Sequence, residues 1–424
     1  MSPSIDPSPP PSTAERRRIL AWALYDWGNS AFATAVLAGF FPVYFKEWWS
    51  AGTDPTESSY LLGLTTSAAS LVVLLLAPML GALADQGGYK KRFVAAFTLL
   101  GAGACAALPL VGQGQWQYAA LLYVAGGVGF GGAIVFYDAL LISVTTPDRY
   151  DRVSAWGYAL GYLGGGVIFA ACVAATRYPQ AFGLDSAQQA VEMSFVAVAT
   201  WWLVFTVPLL RAVPEPRAAH APGWMQAARA AIRQLAATAR AARGYRQLML
   251  FLAAYWLYID GVDTVVRMAV DYGLALGFQA GDLIAALLLT QFVGFPAAVA
   301  FGRLADRFGA RRMIQCGLCV YAGITLWAYT LRERWEFYAL AAVIGLVQGG
   351  VQSLSRSLYA RLIPADAAAE FFAFYNFFGK FAAIIGPTLM GWVALASGSS
   401  RLSVLSLLVL FIAGGLLLSR VNAR

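Results

Sequence analysis

The chain has 424 residues, of which 59% are hydrophobic and only 12% charged, and it carries a formal net charge of +8. Soluble domains average about 25% charged residues, so an ordinary buried core does not account for this composition, whereas a lipid-facing surface does. The basic excess does not point to nucleic acid, because Lys and Arg collect in short connections between apolar runs.

Residues 1–18 open with a Pro- and Ser-rich stretch and read as a disordered tail on the cytoplasmic side. Apolar runs then predict twelve membrane-spanning helices, near 20–45, 59–84, 92–112, 116–145, 153–176, 191–211, 246–272, 281–303, 311–331, 335–361, 370–396 and 402–420. Runs of this length can satisfy their own backbone inside lipid only as helices. The plan is six helices (19–211), a connection (212–245) and six more (246–421). Of 30 basic residues, 22 fall in connections on one side and 5 on the other, with Arg267, Arg356 and Lys380 inside spans. That bias places both termini in the cytoplasm, as in a bacterial inner membrane protein. Within the long connection, Met225, Ala228, Ile232, Leu235 and Ala239 follow helical spacing beside a row of arginines. The expectation is an amphipathic helix on the membrane surface.

Cys105, Cys172, Cys316 and Cys319 all lie in apolar runs, and His220 is the single histidine. The C-x-x-C pair lacks the polar surroundings and further ligands of a metal or redox site, so these thiols read as small apolar fillers and no metal or other cofactor is expected. There is no Walker motif, H-E-x-x-H or nucleophile elbow, and the glycine clusters at 126–132 and 164–166 lie in apolar spans rather than after a strand. Catalysis and ATP-driven work are not expected of this chain.

The strongest signal is an internal repeat. Gly81-Ala82-Leu83-Ala84-Asp85-Gln86-Gly87-Gly88-Tyr89-Lys90-Lys91 follows the second span, and Gly302-Arg303-Leu304-Ala305-Asp306-Arg307-Phe308-Gly309-Ala310-Arg311-Arg312 follows the eighth. Gly81 and Gly302 would let helices approach closely. Asp85 and Asp306 would cap a helix or meet a cation. Gly88 and Gly309 would make the turn, and the basic pairs ending in Lys91 and Arg312 would hold it on the cytoplasmic side.

This loop, at matched places in two halves, resembles the signature of major facilitator transporters. Three further stretches resemble one branch, the vacuole-effluxer-like or "unknown major facilitator" family. They are Ala23-Leu24-Tyr25-Asp26-Trp27-Gly28-Asn29-Ser30-Ala31-Phe32, Leu160-Gly161-Tyr162-Leu163-Gly164-Gly165-Gly166 and Tyr258-Ile259-Asp260-Gly261-Val262-Asp263-Thr264. The resemblance implies an all-α major facilitator fold whose first, fourth, seventh and tenth helices line a cavity. It implies a monomer that moves a small molecule by alternating access, with amino-acid efflux as the associated activity.

Ionisable residues inside spans are costly and are therefore functional candidates. Trp256, Asp260, Asp263, Arg267 and Asp271 share one face of the seventh span, which should line a watery cavity. Asp26 with Asn29, Asp138 beside Tyr137, and Arg356 lie in the first, fourth and tenth spans. Loss of water penalises a charged carboxylate, so Asp26, Asp138, Asp260 and Asp263 are candidates for proton binding. Arg267 could hold a carboxylate. Lys380 and Tyr258 are further candidates for the solute site, and Arg356 for supporting the Asp306 loop as a gate. Many members of the superfamily carry an arginine on the fourth helix. Asp138 stands in that region here, so that role is not transferred. The rival readings are a non-transporting receptor or scaffold on the same fold, an intramembrane enzyme, or a transporter of sugars, peptides or drugs.

Overall fold

The structure is a computed structural model and describes residues 11–53, 55–215, 245–275, 279–382 and 385–422. The first half holds α1 (Thr13–Trp49), α2 (Pro55–Gly87), α3 (Lys90–Ala107), α4 (Trp116–Val144), α5 (Tyr150–Arg177) and α6 (Ala187–Ala212). The second holds α7 (Arg246–Ala275), α8 (Ala280–Phe308), α9 (Ala310–Thr330) and α10 (Arg334–Leu362). Its last two helices are α11, described over Ala368–Ala382 and Ile385–Ser397, and α12, in two pieces (Ser400–Leu405 and Leu407–Ser419). Among the described residues, 11 helices are long and apolar enough to cross a membrane. The surface amphipathic helix expected in the connection lies outside the described residues.

Of the tail expected over residues 1–18, residues 1–10 lie outside the described residues and the rest includes the start of a helix. Helix α1 starts at Thr13, and the Ser12 hydroxyl accepts from the Glu15 amide at 3.2 Å. Ser12-Thr13-Ala14-Glu15 is an S-x-x-E capping sequence, which starts a helix before the apolar run begins. Glu15 also accepts from the Thr145 hydroxyl at 2.8 Å and from Arg149 at 2.7 Å, tying the start of α1 to the α4–α5 connection. Beyond Ala31 the helix widens into a π-helical stretch, Phe32–Phe40.

The start of α1, the end of α12 and the two repeated loops share one end of the bundle, called here the basic end. At that end the halves pack through two matched helix pairs, α2 with α11 and α5 with α8. The loop glycines explain how. A β-carbon on Gly81 would lie 2.7 Å from the Ala369 carbonyl oxygen of α11, and one on Gly302 would lie 2.5 Å from the Ala155 β-carbon of α5. Gly88 and Gly309 have φ of 63° and 85°, the left-handed region where a side chain is strained.

A first expected result concerns this seam. Gly302→Leu must push α8 from α5, so the halves should no longer meet at the basic end. The distance between spin labels on the exposed ends of α5 and α8 should lengthen in the variant, while Gly302→Ala should fall between it and the parent. An unchanged distance in Gly302→Leu would show that the close approach is not needed.

Candidate functional site

The repeated loops do different polar work on the two sides of the seam. Asp85 pairs with Lys90 at 2.7 Å and accepts the Glu370 amide at 2.8 Å, so it caps the first turn of α11 in the other half. Asp306 is held by Arg152 of α5, whose Nε donates to Oδ2 at 2.9 Å, with a second bond from Nη2. The fifth helix of each half therefore receives the loop of the opposite half. Lys91 stays within its own half. Its ammonium donates to the Val213 carbonyl at 2.9 Å and its amide to Glu215 at 3.2 Å. Burial raises the Glu215 pKa, and the Lys91 and Lys90 amides draw it back. Arg312 is exposed on the first turn of α9. Its neighbour Arg311 donates to the Val421 carbonyl at 2.7 Å, beyond the end of α12.

One layer deeper, the seam closes on a buried charge cluster. Arg356 of α10 is 2% exposed in its side chain. Its Nη1 lies 3.0 Å from Asp138 Oδ1 of α4 and 3.7 Å from Asp26 Oδ2 of α1. Nε donates to the Ser154 hydroxyl and Nη2 to the Ser154 carbonyl, both at 2.9 Å on α5. The guanidinium lies 4.8, 5.5 and 4.5 Å from the ring centroids of Trp22, Tyr137 and Tyr158. These rings supply cation–π attraction, which burial strengthens. Trp22 stacks on Tyr137 at 4.6 Å and donates to its carbonyl at 3.0 Å. The Tyr137 hydroxyl donates to Asp26 Oδ2 at 2.9 Å. Asn376 of α11 donates to the second oxygen of Asp138 at 3.3 Å.

Helical spacing places the α5 members of the cluster. Asp151, Ser154, Tyr158 and Tyr162 form one polar stripe on α5, at steps of three and four residues. Its partners lie along α10 and at its end. Ser357 and Arg361 bond to Asp151, Arg361 at 2.8 Å. The Ser154 hydroxyl donates to the Ser353 carbonyl at 2.7 Å, and Tyr162 donates to Gln352 at 3.3 Å. Gly157 makes the room: a β-carbon there would lie 2.8 Å from Trp22 and 3.0 Å from both Arg356 Nη2 and the Tyr137 hydroxyl. Gly157→Val should therefore expel Arg356 from its box. We expect the variant to insert normally, yet to lose at least about 2 kcal/mol of thermal stability, the low end for overpacking with a broken buried pair. A calorimetric profile matching the parent would count against the packing described.

Other expected site residues are placed elsewhere. Arg356 does not support Asp306, because Arg152 takes that carboxylate and Arg356 lies a layer deeper with Asp138 and Asp26. Asp260 does not line an open cavity. It is fully buried and accepts the Gly386 amide at 2.8 Å, and the Thr264 hydroxyl at 3.4 Å. The physical reason is packing against α11, whose Gly386 amide finds its acceptor in Asp260 of α7. Tyr258 is also fully buried, with its hydroxyl 2.7 Å from Ser355, inside the second half. Asn29 is buried on α1, and its carbonyl oxygen has no hydrogen-bond partner among the described residues. Asp263 is half-buried on α7. The side chains of Arg267 and Lys380 lie outside the described residues.

Trp22, Ser154, Gly157, Tyr158 and Asn376 escaped sequence reasoning. Spacing offered a signal for one of them, since Trp22 is four residues before Asp26.

The same arrangement of helices is found in solved transporters. The human organic anion transporter MFSD10 superposes with a TM-score of 0.71 at 18% identity, covering 97% of this chain and 100% of that one. FucP, a major facilitator transporter in the outward conformation, gives 0.70 at 12% identity, with 97% and 99% covered. The fold is that of the major facilitator superfamily. Residues 14–144 and 143–424 match the family described as "Vacuole effluxer Atg22 like". A Bacillus subtilis protein, "Uncharacterized MFS-type transporter YxiO", is 37% identical over 95% of this chain and 94% of its own length. "Autophagy-related protein 22" of Coccidioides immitis is 25% identical over 96% of this chain and 87% of its own. The chain belongs to the Atg22-like vacuole effluxer family.

Proposed function

We propose that the protein is a proton-coupled secondary transporter of a small polar solute, with amino acids the first class to test. Its two halves rock about the central site, and the Arg356 cluster is both latch and coupling centre. The basic end is cytoplasmic on this reading, as the Lys and Arg distribution supports, and one chain suffices.

The observation that carries the reading is a charge count. One guanidinium faces two carboxylates, Asp138 at 3.0 Å and Asp26 at 3.7 Å, in a largely buried site. An excess buried negative charge is expensive, and a proton on one carboxylate removes it. Asp26 is the better carrier. It is farther from Arg356 than Asp138 is, and the Tyr137 hydroxyl supports it whether it is charged or neutral. Opening the basic end withdraws Arg356 from α1 and α4 and wets both carboxylates, so the proton can leave on that side. Proton release and the change of access are then one event.

Arg356 is fully engaged in this arrangement, with Asp138 and both oxygens of Ser154 as partners. It therefore serves the latch and not a solute carboxylate while the basic end is closed. The amino-acid assignment rests on family resemblance alone. The test is flux into proteoliposomes under an imposed pH gradient, screened over amino acids, dipeptides, sugars and organic anions. One solute class should move, faster with the gradient than without it. Binding without flux across the whole screen would favour a receptor on the same fold, and flux indifferent to the gradient would remove the coupling.

A further inference from the structure

A cleft of about 280 Å³ opens between α5 and α8 at the basic end, lined by Arg152, Trp156, Val299 and Arg303. The four residues form two facing ladders. Arg152 and Trp156 are one turn apart on α5, and Val299 and Arg303 one turn apart on α8. Both arginines stand toward the basic end, and Trp156 and Val299 stand about 6 Å deeper toward mid-span. Trp156 is 39% exposed and the Arg152 side chain 60%. Asp306 neutralises Arg152, whereas Arg303 has no hydrogen-bond or ion-pair partner among the described residues. The cleft with its rim is thus left with one uncompensated positive charge.

We propose that this cleft holds the headgroup phosphate of an anionic phospholipid and that the lipid favours the state closed at the basic end. Guanidinium groups bind phosphate through short, charge-assisted hydrogen bonds. Arg303 is free to make them, and Arg152 keeps Nη1 for the same anion while Nε and Nη2 hold Asp306. A tryptophan at the depth of the glycerol backbone is where its amphipathic ring is most favourable. The apolar Val299 behind it suits the start of an acyl chain. This depth profile is why the ligand is a lipid: a free phosphate would use the rim and leave Trp156 and Val299 unengaged. Basic pockets between helices on the cytoplasmic side are a recurrent site for such headgroups.

The bias toward one state follows from ownership of the walls. Arg152 and Trp156 belong to the first half, and Val299 and Arg303 to the second. Separation of the halves at this end divides the cleft, so a lipid bound to both walls stabilises the closed state by its differential affinity. This clause rests on the rocking motion proposed above, and the binding itself does not.

The experiment uses the full chain in nanodiscs of phosphatidylcholine, with and without phosphatidylglycerol. Lipid retained on the purified protein is measured by mass spectrometry, and closure by the distance between spin labels on the exposed ends of α5 and α8. The parent should retain phosphatidylglycerol in preference, and Arg303→Gln should lose at least about tenfold of that preference, with Arg303→Lys retaining part of it. Phosphatidylglycerol should raise the closed population several-fold in the parent and leave Arg303→Gln unmoved. Equal retention by parent and Arg303→Gln overturns the site, and so does full displacement of the lipid by inorganic phosphate. Retention through Arg303 with no effect on the distance overturns the state bias. Retention and closure as expected, in a protein that moves no solute in the screen, would leave the lipid site standing and remove the transport reading.

Discussion

Arg356→Met is expected to abolish closure at the basic end and to reduce flux by at least about 100-fold. The methionine fills similar volume in the aromatic box of Trp22, Tyr137 and Tyr158, so packing is largely kept. What it removes is the cation between Asp138 and Asp26, and the donors to both oxygens of Ser154. Removing one partner of a buried ion pair costs about 3–5 kcal/mol. At about 1.4 kcal/mol per factor of ten, that exceeds what a two-state equilibrium near balance can absorb. Arg356→Lys should not rescue. An ammonium on a flexible stem does not reach Asp138 and both Ser154 oxygens together in the fork that the guanidinium makes. Spin-label distances across the seam read closure without knowledge of the solute, and initial rates in proteoliposomes read flux. Parent-like values of both in Arg356→Met would remove the latch.

The second large effect separates the two carboxylates. Asp26→Asn should still accept from the Tyr137 hydroxyl, so the closed state forms, but the variant carries no exchangeable proton at that position. Solute exchange should continue, and acceleration by a pH gradient should vanish. Asp138→Asn should behave differently. Asp138 is the carboxylate nearer to Arg356 and is also bonded by Asn376. Neutralising it should open the seam, with flux falling about tenfold or more for the 1.5–3 kcal/mol of a charged hydrogen bond. Paired flux measurements, with and without the gradient, distinguish the two. Retention of full gradient dependence by Asp26→Asn would assign the proton elsewhere.

The sequence carried the architecture because lipid leaves so little choice. Runs of apolar residues, the charge bias of the connections and a loop repeated 221 positions apart were enough for two six-helix halves. The repeated glycines were legible in role too, since close approach and a left-handed turn are local demands. Partnerships were not legible. Asp26, Asp138 and Arg356 each stand out as a charge in an apolar run, but which helices meet across the seam depends on the state of the whole bundle. Level along the bundle pairs Arg356 with Asp306, whereas Arg152 is the residue that holds that loop. Asp260 shares a helical stripe with Asp263, which points toward a cavity, yet it is fully buried. Its partner, the Gly386 amide, lies in another helix, and no local pattern around Asp260 points to it. Gly157 looks like any small residue in a span, and only the packed guanidinium reveals what it makes room for.

The central claim is that the seam at the basic end must open and close for solute to move. Ala155→Cys with Gly302→Cys tests it most directly, because those β-carbons would lie 2.5 Å apart and a disulfide needs about 1 Å more. The background would have Cys105, Cys172, Cys316 and Cys319 replaced by Ala. Oxidation should lock the halves and stop flux, and reduction should restore it. Undiminished flux through a fully cross-linked protein would contradict the account.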